Sequence, residues 1–449
     1  MPTVRPAAVA GAFYPGDPRQ LAADLDELLG GVESFEPRLA WPKALVVPHA
    51  GYIYSGAIAA RAYDELRGAR GAVRRVVLLG PVHRVPVGGL ALPSADAFAT
   101  PLGTIAVDAD ARRELAGLAQ VVQSEPAHAM EHSLEVQLPF LQRMLGEFSL
   151  VPFAVGDTTV DQVAEVIDRL WGGRETLFVI STDMSHYHPY EVASRMDSDT
   201  ARRIEAFATN IDHQQACGAT PLNGFLRVAQ AKGLTMRKLG VCNSGDTAGG
   251  KGRVVGYASF ALDEPDAVDA NAAGRALIGI ARAAIARRLG TATSSAALTD
   301  APWLRQPGAT FVTLKLDGEL RGCIGSLEAH RPLAEDVAAN AEAAAFRDPR
   351  FPALSAAEWP RCEVEVSLLS APKPIAFADE AELLEKIQPG EDGLILEHAG
   401  RRGTFLPQVW ESIPDKRAFL GELVKKAGLP ADTRLARCSF SRYRAKKWQ

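Results

Sequence analysis

The chain has few cysteines and no closely paired cysteines. Its five cysteines are odd in number and scattered, without any C-x-x-C spacing: Cys217, Cys242, Cys323, Cys362 and Cys438. A disulfide framework or a structural zinc knuckle needs paired or closely spaced thiols. An iron–sulfur cluster needs several neighbouring thiolates in the same way. The pattern therefore argues against all three kinds of site within this chain.

The sequence also lacks a large excess of charge and any long apolar run. Lys and Arg number 49 against 54 Asp and Glu, a net charge of −5. Nucleic acid and anionic membranes are therefore not expected as partners. No apolar stretch approaches the ~20 residues that span a bilayer, and the first residues lead into prolines and glycines rather than an apolar signal core. We expect a cytoplasmic protein.

The length of the chain predicts more than one domain, because 449 residues exceed a single compact core. The run Asp263-Glu264-Pro265-Asp266 is polar and breaks strands. We therefore expect domains at residues 1–263 and 270–449. No internal repeat relates the two halves, which favours a fusion over a duplication.

The first half alternates between strand-like and helix-like segments. Short apolar runs predict strands buried on both faces, at residues 44–47, 75–79, 176–180 and 253–260. Helices are predicted between them, at residues 161–170 and 196–208. This alternation is typical of a layered α/β domain.

The second half has a helix and strands of its own. An Ala/Arg-rich helix is predicted at residues 271–289, and strands are predicted at residues 310–316, 362–369 and 393–397. We expect a second, smaller α/β domain.

Three histidines come shortly after predicted strands. His49 follows the strand that ends at residue 47, His83 the strand that ends at 79, and His186 the strand that ends at 180. Open α/β sheets gather ligand sites past the carboxyl ends of their strands. Imidazole binds zinc, iron or copper, so the pattern predicts a metal site. The alternative is an ordinary turn histidine at each position, since such loops commonly hold polar side chains.

A carboxylate that would complete such a site follows a short strand at residues 238–241. Asp246 lies in Asn243-Ser244-Gly245-Asp246-Thr247. With two histidines it would form the two-histidine, one-carboxylate set that holds non-haem Fe(II) and leaves positions open. The alternative is an Asx-turn aspartate in a Gly-rich loop.

The run His128-Ala129-Met130-Glu131-His132 has the H-x-x-E-H spacing of a class of zinc peptidases. That chemistry needs a continuous helix, whereas Pro126 lies just upstream and apolar periodicity begins at Leu134. We therefore expect the run to straddle a helix start. His132 and Glu135 are expected to line the cleft, with His132 as a catalytic candidate, or merely to cap that helix.

Several stretches of the first half occur in the order found in a known family. They are Arg5-Pro6-Ala7, Gly11-Ala12-Phe13-Tyr14-Pro15, Pro48-His49-Ala50-Gly51-Tyr52, Leu79-Gly80-Pro81-Val82-His83, Glu131-His132-Ser133-Leu134-Glu135 and Ser181-Thr182-Asp183-Met184-Ser185-His186. Through them, residues 1–262 resemble the Memo family. The resemblance implies a fold similar to class III extradiol ring-cleaving dioxygenases, which use two histidines and a carboxylate on Fe(II) with a histidine as acid/base.

Carried onto this sequence, the resemblance implies roles for the predicted site residues. His49 and His83 correspond to metal ligands, and His186 to the acid/base or an additional ligand. Some Memo proteins have a cysteine at the third-ligand position. Asp246 is placed there in this chain, although Cys242 is four residues away.

The second half carries motifs of another family. They are Leu320-Arg321-Gly322-Cys323-Ile324-Gly325, Phe346-Arg347-Asp348-Pro349-Arg350-Phe351, Glu363-Val364-Glu365-Val366-Ser367 and Arg402-Gly403-Thr404-Phe405-Leu406-Pro407. Through them, residues 270–449 resemble the AMMECR family, which has no settled chemistry to transfer. The pair of domains also resembles a recurrent gene set with a radical-SAM protein, which implies a shared pathway and a radical-SAM partner.

Cys323 is a catalytic candidate from the residues alone. It lies between Gly322 and Gly325, where a flexible turn would expose a thiol whose pKa Arg321 would lower. The alternative, which we favour, is a small buried residue on a tight turn. Arg321, Arg350 and Arg402 are a further candidate set, for an anion-binding pocket.

Together these patterns predict a metal-dependent oxidoreductase that acts on a small molecule. Fe(II) is the favoured metal, with copper and zinc as alternatives, and His49, His83 and Asp246 are the expected ligands. Two alternatives stay open: a non-catalytic scaffold that binds a protein through the Memo-like cleft, and an accessory subunit of a radical-SAM enzyme.

Overall fold

The computed structural model describes residues 2–32, 41–265, 270–291 and 301–449. These residues form two compact units, one up to residue 265 and the other from residue 270 onward. Each unit is described by itself.

The strands of the first unit alternate with helices along the chain. The strands are β1 (Val4–Arg5), β2 (Ala44–Val47), β3 (Arg75–Pro81), β4 (Leu90–Leu92), β5 (Ala97–Thr100), β6 (Gly103–Ala106), β7 (Val121–Gln123), β8 (Ser149–Val155), β9 (Thr176–Ser181), β10 (His186–His188), β11 (Thr235–Asn243) and β12 (Val254–Asp263). The helices are α1 (Pro18–Gly30), α2 (Tyr52–Asp64), α3 (Ala109–Glu114), α4 (Glu125–Ala129), α5 (His132–Glu135), α6 (Leu138–Leu145), α7 (Val160–Arg169), α8 (Tyr190–Glu205) and α9 (Ala219–Ala231).

A nine-stranded mixed sheet forms the middle of the first unit. Its centre is parallel, in the order β2-β9-β3-β8. β12 pairs antiparallel with β2 and also pairs with β10 and β11, while β4 and β7 extend the sheet beyond β8. The carboxyl ends of β2, β9 and β3 therefore lie along one edge.

Both faces of this sheet are covered by apolar side chains. In β2, Leu45 and Val47 join the core on one face, and Ala44 and Val46 join the core on the other. Residues of α1, α2 and α6 complete the first core, and residues of α7, α8 and α9 complete the second. Since successive side chains of a strand point to opposite faces, continuous apolar strands require helices on both sides. The predicted layered α/β fold is confirmed.

Local sequence explains where the helices begin. Thr159 caps α7 in a capping box with Gln162, and the buried residues Val163, Val166 and Ile167 have helical spacing. The helix predicted at 196–208 begins earlier, at Tyr190, with Pro189 at the N-cap position. Its first turns contain polar residues, so apolar periodicity did not reveal them.

The second unit also combines strands with helices. Its strands are β13 (Thr310–Leu316), β14 (Glu319–Gly325), β15 (Cys362–Leu369), β16 (Lys373–Ile375), β17 (Gly393–His398), β18 (Arg401–Phe405), β19 (Ser439–Tyr443) and β20 (Ala445–Trp448). Its helices are α10 (Ala270–Arg288), α11 (Leu333–Phe346), α12 (Glu380–Lys386), α13 (Val409–Ser412) and α14 (Lys416–Lys426).

Two four-stranded antiparallel sheets organise the second unit, in the orders β14-β13-β15-β20 and β16-β19-β17-β18. α10 and α11 share an apolar core with the first sheet, and α12 and α14 share one with the second. The mixed helix-and-strand composition agrees with the predicted second domain. Across the described residues, no helix combines the length and apolar character needed to cross a bilayer.

Replacing Ile167 by alanine is expected to destabilise the first unit by about 2–5 kcal/mol, because it leaves a cavity beside the sheet. Ile167 is fully buried on α7, whereas Ile53 on α2 is 70% exposed. Ile53→Ala is the matched control and should change stability by less than about 0.5 kcal/mol. Hydrogen exchange of first-unit peptides in increasing urea checks both variants. Equal effects would contradict the burial of Ile167 in the core.

Candidate metal centre

Three histidines converge at the carboxyl edge of the central sheet. His49 comes two residues after β2, His83 two residues after β3, and His132 is the first residue of α5. Their ring centroids are 4.6 to 5.4 Å apart. One nitrogen from each ring lies within 4.8 Å of the others, an arrangement that could hold a metal ion.

A glycine allows the segment that carries His132 to approach the end of β3. A Cβ at Gly80 would lie 2.8 Å from the Ser133 hydroxyl oxygen. That hydroxyl donates a hydrogen bond to the Pro81 carbonyl oxygen over 2.8 Å. The close contact between β3 and α5 brings His83 and His132 together.

Hydrogen bonds orient the His49 ring. Its Nδ1 lies 2.9 Å from the Ser181 hydroxyl oxygen, and this hydroxyl donates its own hydrogen to the Ser133 carbonyl over 2.6 Å. Ser181 therefore accepts from His49 Nδ1–H, which leaves Nε2 unprotonated. Burial, followed by the neighbouring histidines His83 and His132, holds the pKa of His49 well below its usual value. The ring is therefore neutral at physiological pH, and its Nε2 has a lone pair for a metal ion.

Glu131 orients the His83 ring. One carboxylate oxygen accepts from the His83 backbone N–H over 2.6 Å, and the other lies 2.9 Å from Nδ1. Burial alone would raise the pKa of Glu131, but the hydrogen bonds and charge of His83 and the Ser133 amide outweigh burial and lower it to about 2. The ionised carboxylate holds Nδ1 and leaves Nε2 available, as carboxylates do behind metal-bound histidines.

His132 has an unsatisfied buried nitrogen. Its Nδ1 lies 3.3 Å from a Glu131 oxygen without hydrogen-bonding geometry, and has no hydrogen-bond partner in the described ranges. Burial lowers the pKa of His132 to about 4, against the opposing charge of Glu131. Neutral imidazoles with free nitrogens are the donors that zinc, iron and copper prefer. The residues present therefore fit a divalent metal ion.

Cys217 lies at the same site and was missed in the sequence analysis. Its Sγ is 3.3 Å from His49 Nε2 and accepts from the Asp183 backbone N–H over 3.3 Å. Burial, followed by the charge of Asp183, raises the pKa of this thiol to about 12. The available signal was the dipeptide Cys217-Gly218 directly before α9. A Cβ at Gly218 would lie 2.8 Å from the Ser181 carbonyl oxygen, so glycine permits this close approach.

Asp183 is a second neighbour that the sequence analysis did not assign. One carboxylate oxygen accepts from the His49 backbone N–H over 2.7 Å, and the other is 4.0 Å from His49 Nε2. Burial raises the pKa of Asp183 to about 7, although the His49 amide favours its ionised form. The group can hold or release a proton near neutral pH.

His186 is not part of the three-histidine group. It begins β10 and pairs with Val255 of β12. Burial lowers its pKa, and the charge of His83 lowers it further. The acid/base role of His186 stays a prediction.

Asp246 does not join the histidines, in contrast to the expected third ligand. Its carboxylate accepts from the Asn243 backbone N–H over 2.9 Å and from the Tyr190 hydroxyl over 2.5 Å. It is exposed and caps the short turn Ser244–Asp246 after β11. β12 separates β11 from β2, which carries the chain to His49. Asp246 is therefore a turn residue, as the alternative interpretation of this loop expects. The Asx turn itself belongs to Asn243, whose side-chain oxygen accepts from the Gly245 backbone N–H over 2.9 Å. His132 takes the place of Asp246 in the group of potential ligands.

The H-x-x-E-H run is interrupted, as the sequence predicts. α4 ends at Ala129 and α5 begins at His132. His128 Nε2 lies 2.8 Å from the Ala91 carbonyl, and this buried histidine is not part of the cluster. Glu135 neither lines the cleft nor simply caps the helix, because it is a buried acceptor for Arg5 and Tyr14.

A cavity of about 460 Å³ opens beside this cluster. Its lining includes His83 and Cys217, along with His213 and apolar side chains such as Val82 and Val87. Small-molecule sites commonly have this size and mixture of apolar walls with a few polar groups. A ligand in the cavity would therefore meet two groups of the candidate centre.

Cys323 lies in the second unit, on strand β14 rather than in a turn. Thr313 Oγ1 donates to its Sγ over 3.3 Å. The three arginines proposed for an anion pocket do not converge. Arg321 pairs with Glu358, and Arg402 pairs with Glu328 and Glu397.

The fold and site of the first unit define a three-layered α/β protein with a histidine-lined candidate metal centre at its sheet edge. The family model described as Memo-like protein matches residues 5–261, more than half of the chain, and the chain belongs to this family. A second family model, AMMECR1, matches residues 278–448. The chain is therefore a fusion of a Memo domain with an AMMECR1 domain.

Two relatives that bear the family name support this membership. A MEMO1 family protein of Aquifex aeolicus is 39% identical over 269 residues, covering 57% of this chain and 97% of its own. One from Methanosarcina barkeri is 35% identical over 278 residues, covering 58% and 100%. A solved structure of an uncharacterized protein from Pyrococcus horikoshii is 36% identical and covers 39% of this chain and 89% of its own, with a TM-score of 0.36.

The metal-free first unit is expected to lose stability as the pH falls from 7 to 4, because His128 is buried in its neutral form. Burial lowers the pKa of His128 to about 4, although its bond to the Ala91 carbonyl opposes the shift. An unfolded histidine has a pKa near 6.5, so below that pH the unfolded chain binds a proton that the folded chain excludes. The loss contributed by His128 should be roughly 2–3 kcal/mol.

Urea unfolding with a chelator at pH 7 and pH 4.5 measures this dependence. His128→Gln should have a shallower dependence on pH than wild type, whereas His330→Gln, at an exposed position, should keep the wild-type dependence. An unchanged pH dependence in His128→Gln would contradict the buried neutral state.

Proposed function

We propose that the Memo domain is a metal-dependent oxidoreductase whose metal, Fe(II) by preference, is held by His49, His83 and His132. One observation carries the proposal: hydrogen bonds to Nδ1 of His49 and of His83 leave both Nε2 atoms available within a cluster of three imidazoles. The buried Nδ1 of His132 has no hydrogen-bond partner among the described residues, a cost in free energy that a bound metal ion would offset. Copper and zinc are the alternative metals.

Cys217 is proposed as a further ligand in place of Asp246. Its Sγ already contacts His49 Nε2. The thiol is protonated at neutral pH without a metal, because burial raises its pKa to about 12. Metal ligation requires the thiolate, so binding through Cys217 would release a proton.

A bound redox-active metal would supply electron transfer between a substrate and an oxidant such as dioxygen. The surrounding residues would do the rest. Ser181 and Glu131 hold the His49 and His83 rings in place. His186, whose lowered pKa makes it a neutral base, would take a proton from the substrate. Asp183 would hold a proton at neutral pH, since burial raises its pKa to about 7.

The proposed substrate is a small molecule, because the cavity beside His83 has a volume of about 460 Å³. A radical-SAM protein as partner stays a prediction from the family resemblance. The following test distinguishes the metal-dependent enzyme from the alternative, a non-catalytic scaffold.

Purified wild-type protein is expected to contain stoichiometric iron or copper, and His49→Ala or His83→Ala should lose most of it. His330→Ala and Asp246→Asn should retain the wild-type content, since neither residue belongs to the histidine cluster. Anaerobic purification followed by metal quantification measures this. Substoichiometric metal in wild type and His49→Ala alike, with equal stability, would leave the scaffold as the better explanation.

Glu131→Gln is expected to weaken metal binding by about 10- to 100-fold, because the amide cannot match the charge with which Glu131 holds His83 Nδ1. Glu147→Gln, at an exposed position, is the matched control. Competition with a chelator of known affinity gives the dissociation constants. Equal affinities in Glu131→Gln and Glu147→Gln would show that the Glu131 charge does not act on the metal.

A further inference from the structure

The second unit contains a cavity of about 650 Å³. Its walls come from β13, β14 and β15 of one sheet and from β18, α13 and α14 beside the other. Apolar side chains such as Phe311, Leu320 and Leu406 form part of the lining. A cavity of this size with apolar walls and a few polar groups has the features of a small-molecule site.

Four cationic side chains line the cavity, and three of them are paired. Lys315 lies 2.5 Å and Lys447 3.7 Å from Glu365, and Arg350 lies 2.7 Å from Asp348. Lys426 makes no ion pair or hydrogen bond with the described part of the chain. Its ammonium lies 4.8 Å from the centre of the Phe405 ring. Lys315 and Lys447 share the carboxylate of Glu365, and the lining as a whole has four cations and three carboxylates, so its formal net charge is +1.

The thiol of Cys323 lies in the same cavity. Thr313 Oγ1 donates to its Sγ over 3.3 Å, an interaction that stabilises a thiolate. The Cys323 backbone is fixed on both sides, because its N–H donates to Asp348 over 2.9 Å and its carbonyl accepts from Arg350 over 3.3 Å. Lys426 and Arg350 line the same cavity as Cys323. Burial, followed by the charge of Arg350, lowers the pKa of Lys426.

We propose that this cavity binds a small monocarboxylate, with the carboxylate at Lys426, the apolar body against Phe311 and Leu406, and the Cys323 thiol facing the bound molecule. The formal net charge of +1, with Lys426 as the cation that has no carboxylate partner among the described residues, matches one negative charge. Phosphate carries more negative charge, and Asp348, Glu365 and Glu411 in the lining would repel it. The proposal concerns the AMMECR1 domain and does not depend on the metal centre.

Alkylation of Cys323 in the full-length protein tests the proposal with two probes of similar size. Iodoacetate carries a carboxylate and iodoacetamide is neutral. In both reactions the Cys323 Sγ–carbon bond forms as the carbon–iodine bond breaks, iodide leaves, and the thiol proton goes to solvent. We expect the ratio of iodoacetate to iodoacetamide rates at Cys323 to exceed that of glutathione by about tenfold, from one charge-assisted contact.

Peptide mass spectrometry of the alkylated Cys323 gives both rates. Lys426→Gln should lower the iodoacetate rate about tenfold while changing the iodoacetamide rate less than about twofold. Lys425→Gln is the matched control, because Lys425 is the preceding residue of α14 and pairs with Glu422. It should leave both rates unchanged.

Three results would overturn the proposal. The first is a rate ratio at Cys323 equal to that of glutathione. The second is an equal loss of both rates in Lys426→Gln, which would indicate a structural role for Lys426 over Phe405. The third is stronger protection of Cys323 by inorganic phosphate than by acetate, which would exclude the monocarboxylate. Stronger protection by acetate supports it.

Discussion

The candidate metal centre depends on a buried ion pair between Arg5 and Glu135, whose side chains are at most 2% exposed. Arg5 also donates to the carbonyls of His128 and Glu131, while Glu135 accepts from the Tyr14 hydroxyl and the Ala8 and Val9 amides. The pair thereby binds the N-terminal segment to the irregular stretch that carries Glu131 and His132. Removing one partner of such a pair costs about 3–5 kcal/mol, because the other charge stays buried.

The two candidate sites follow different electrostatic designs. In the Memo domain, burial keeps His49 and His132 neutral, and Glu131 places its charge behind His83. A cation would thus meet the neutral imidazoles of His49 and His132, and His83 with the Glu131 carboxylate behind it, an arrangement common at metal-bound histidines. In the AMMECR1 domain the charges are mostly paired, and Lys426 supplies the excess. The first arrangement suits a cation and the second an anion.

Much of the fold was predictable, whereas the site was predictable in part. β2, β13 and β15 have the predicted bounds, because the residues within a short strand are enough to predict it. Ligand sites in α/β sheets lie past the carboxyl ends of the strands. This placed His49 and His83 at one edge, because the strands before them were recognised from their own residues. Asp246 was predicted as a ligand, but its carboxylate accepts a hydrogen bond within its own turn, from the backbone N–H three residues earlier. Cys217 was overlooked because the glycine after it indicates a close approach of the backbone and does not mark the cysteine as a metal ligand.

The sequence by itself determined that strands and helices alternate, that the sheet is covered on both faces, and that two histidines follow parallel strands. These properties depend on neighbouring residues and on the fixed periodicities of strand and helix. Only the tertiary structure decided that His132 completes the cluster and that Cys217 meets His49. Cys217 and His49 are 168 residues apart, and their contact depends on how α5 and α9 pack against the sheet edge. Local pattern cannot specify a contact that several packed elements create together.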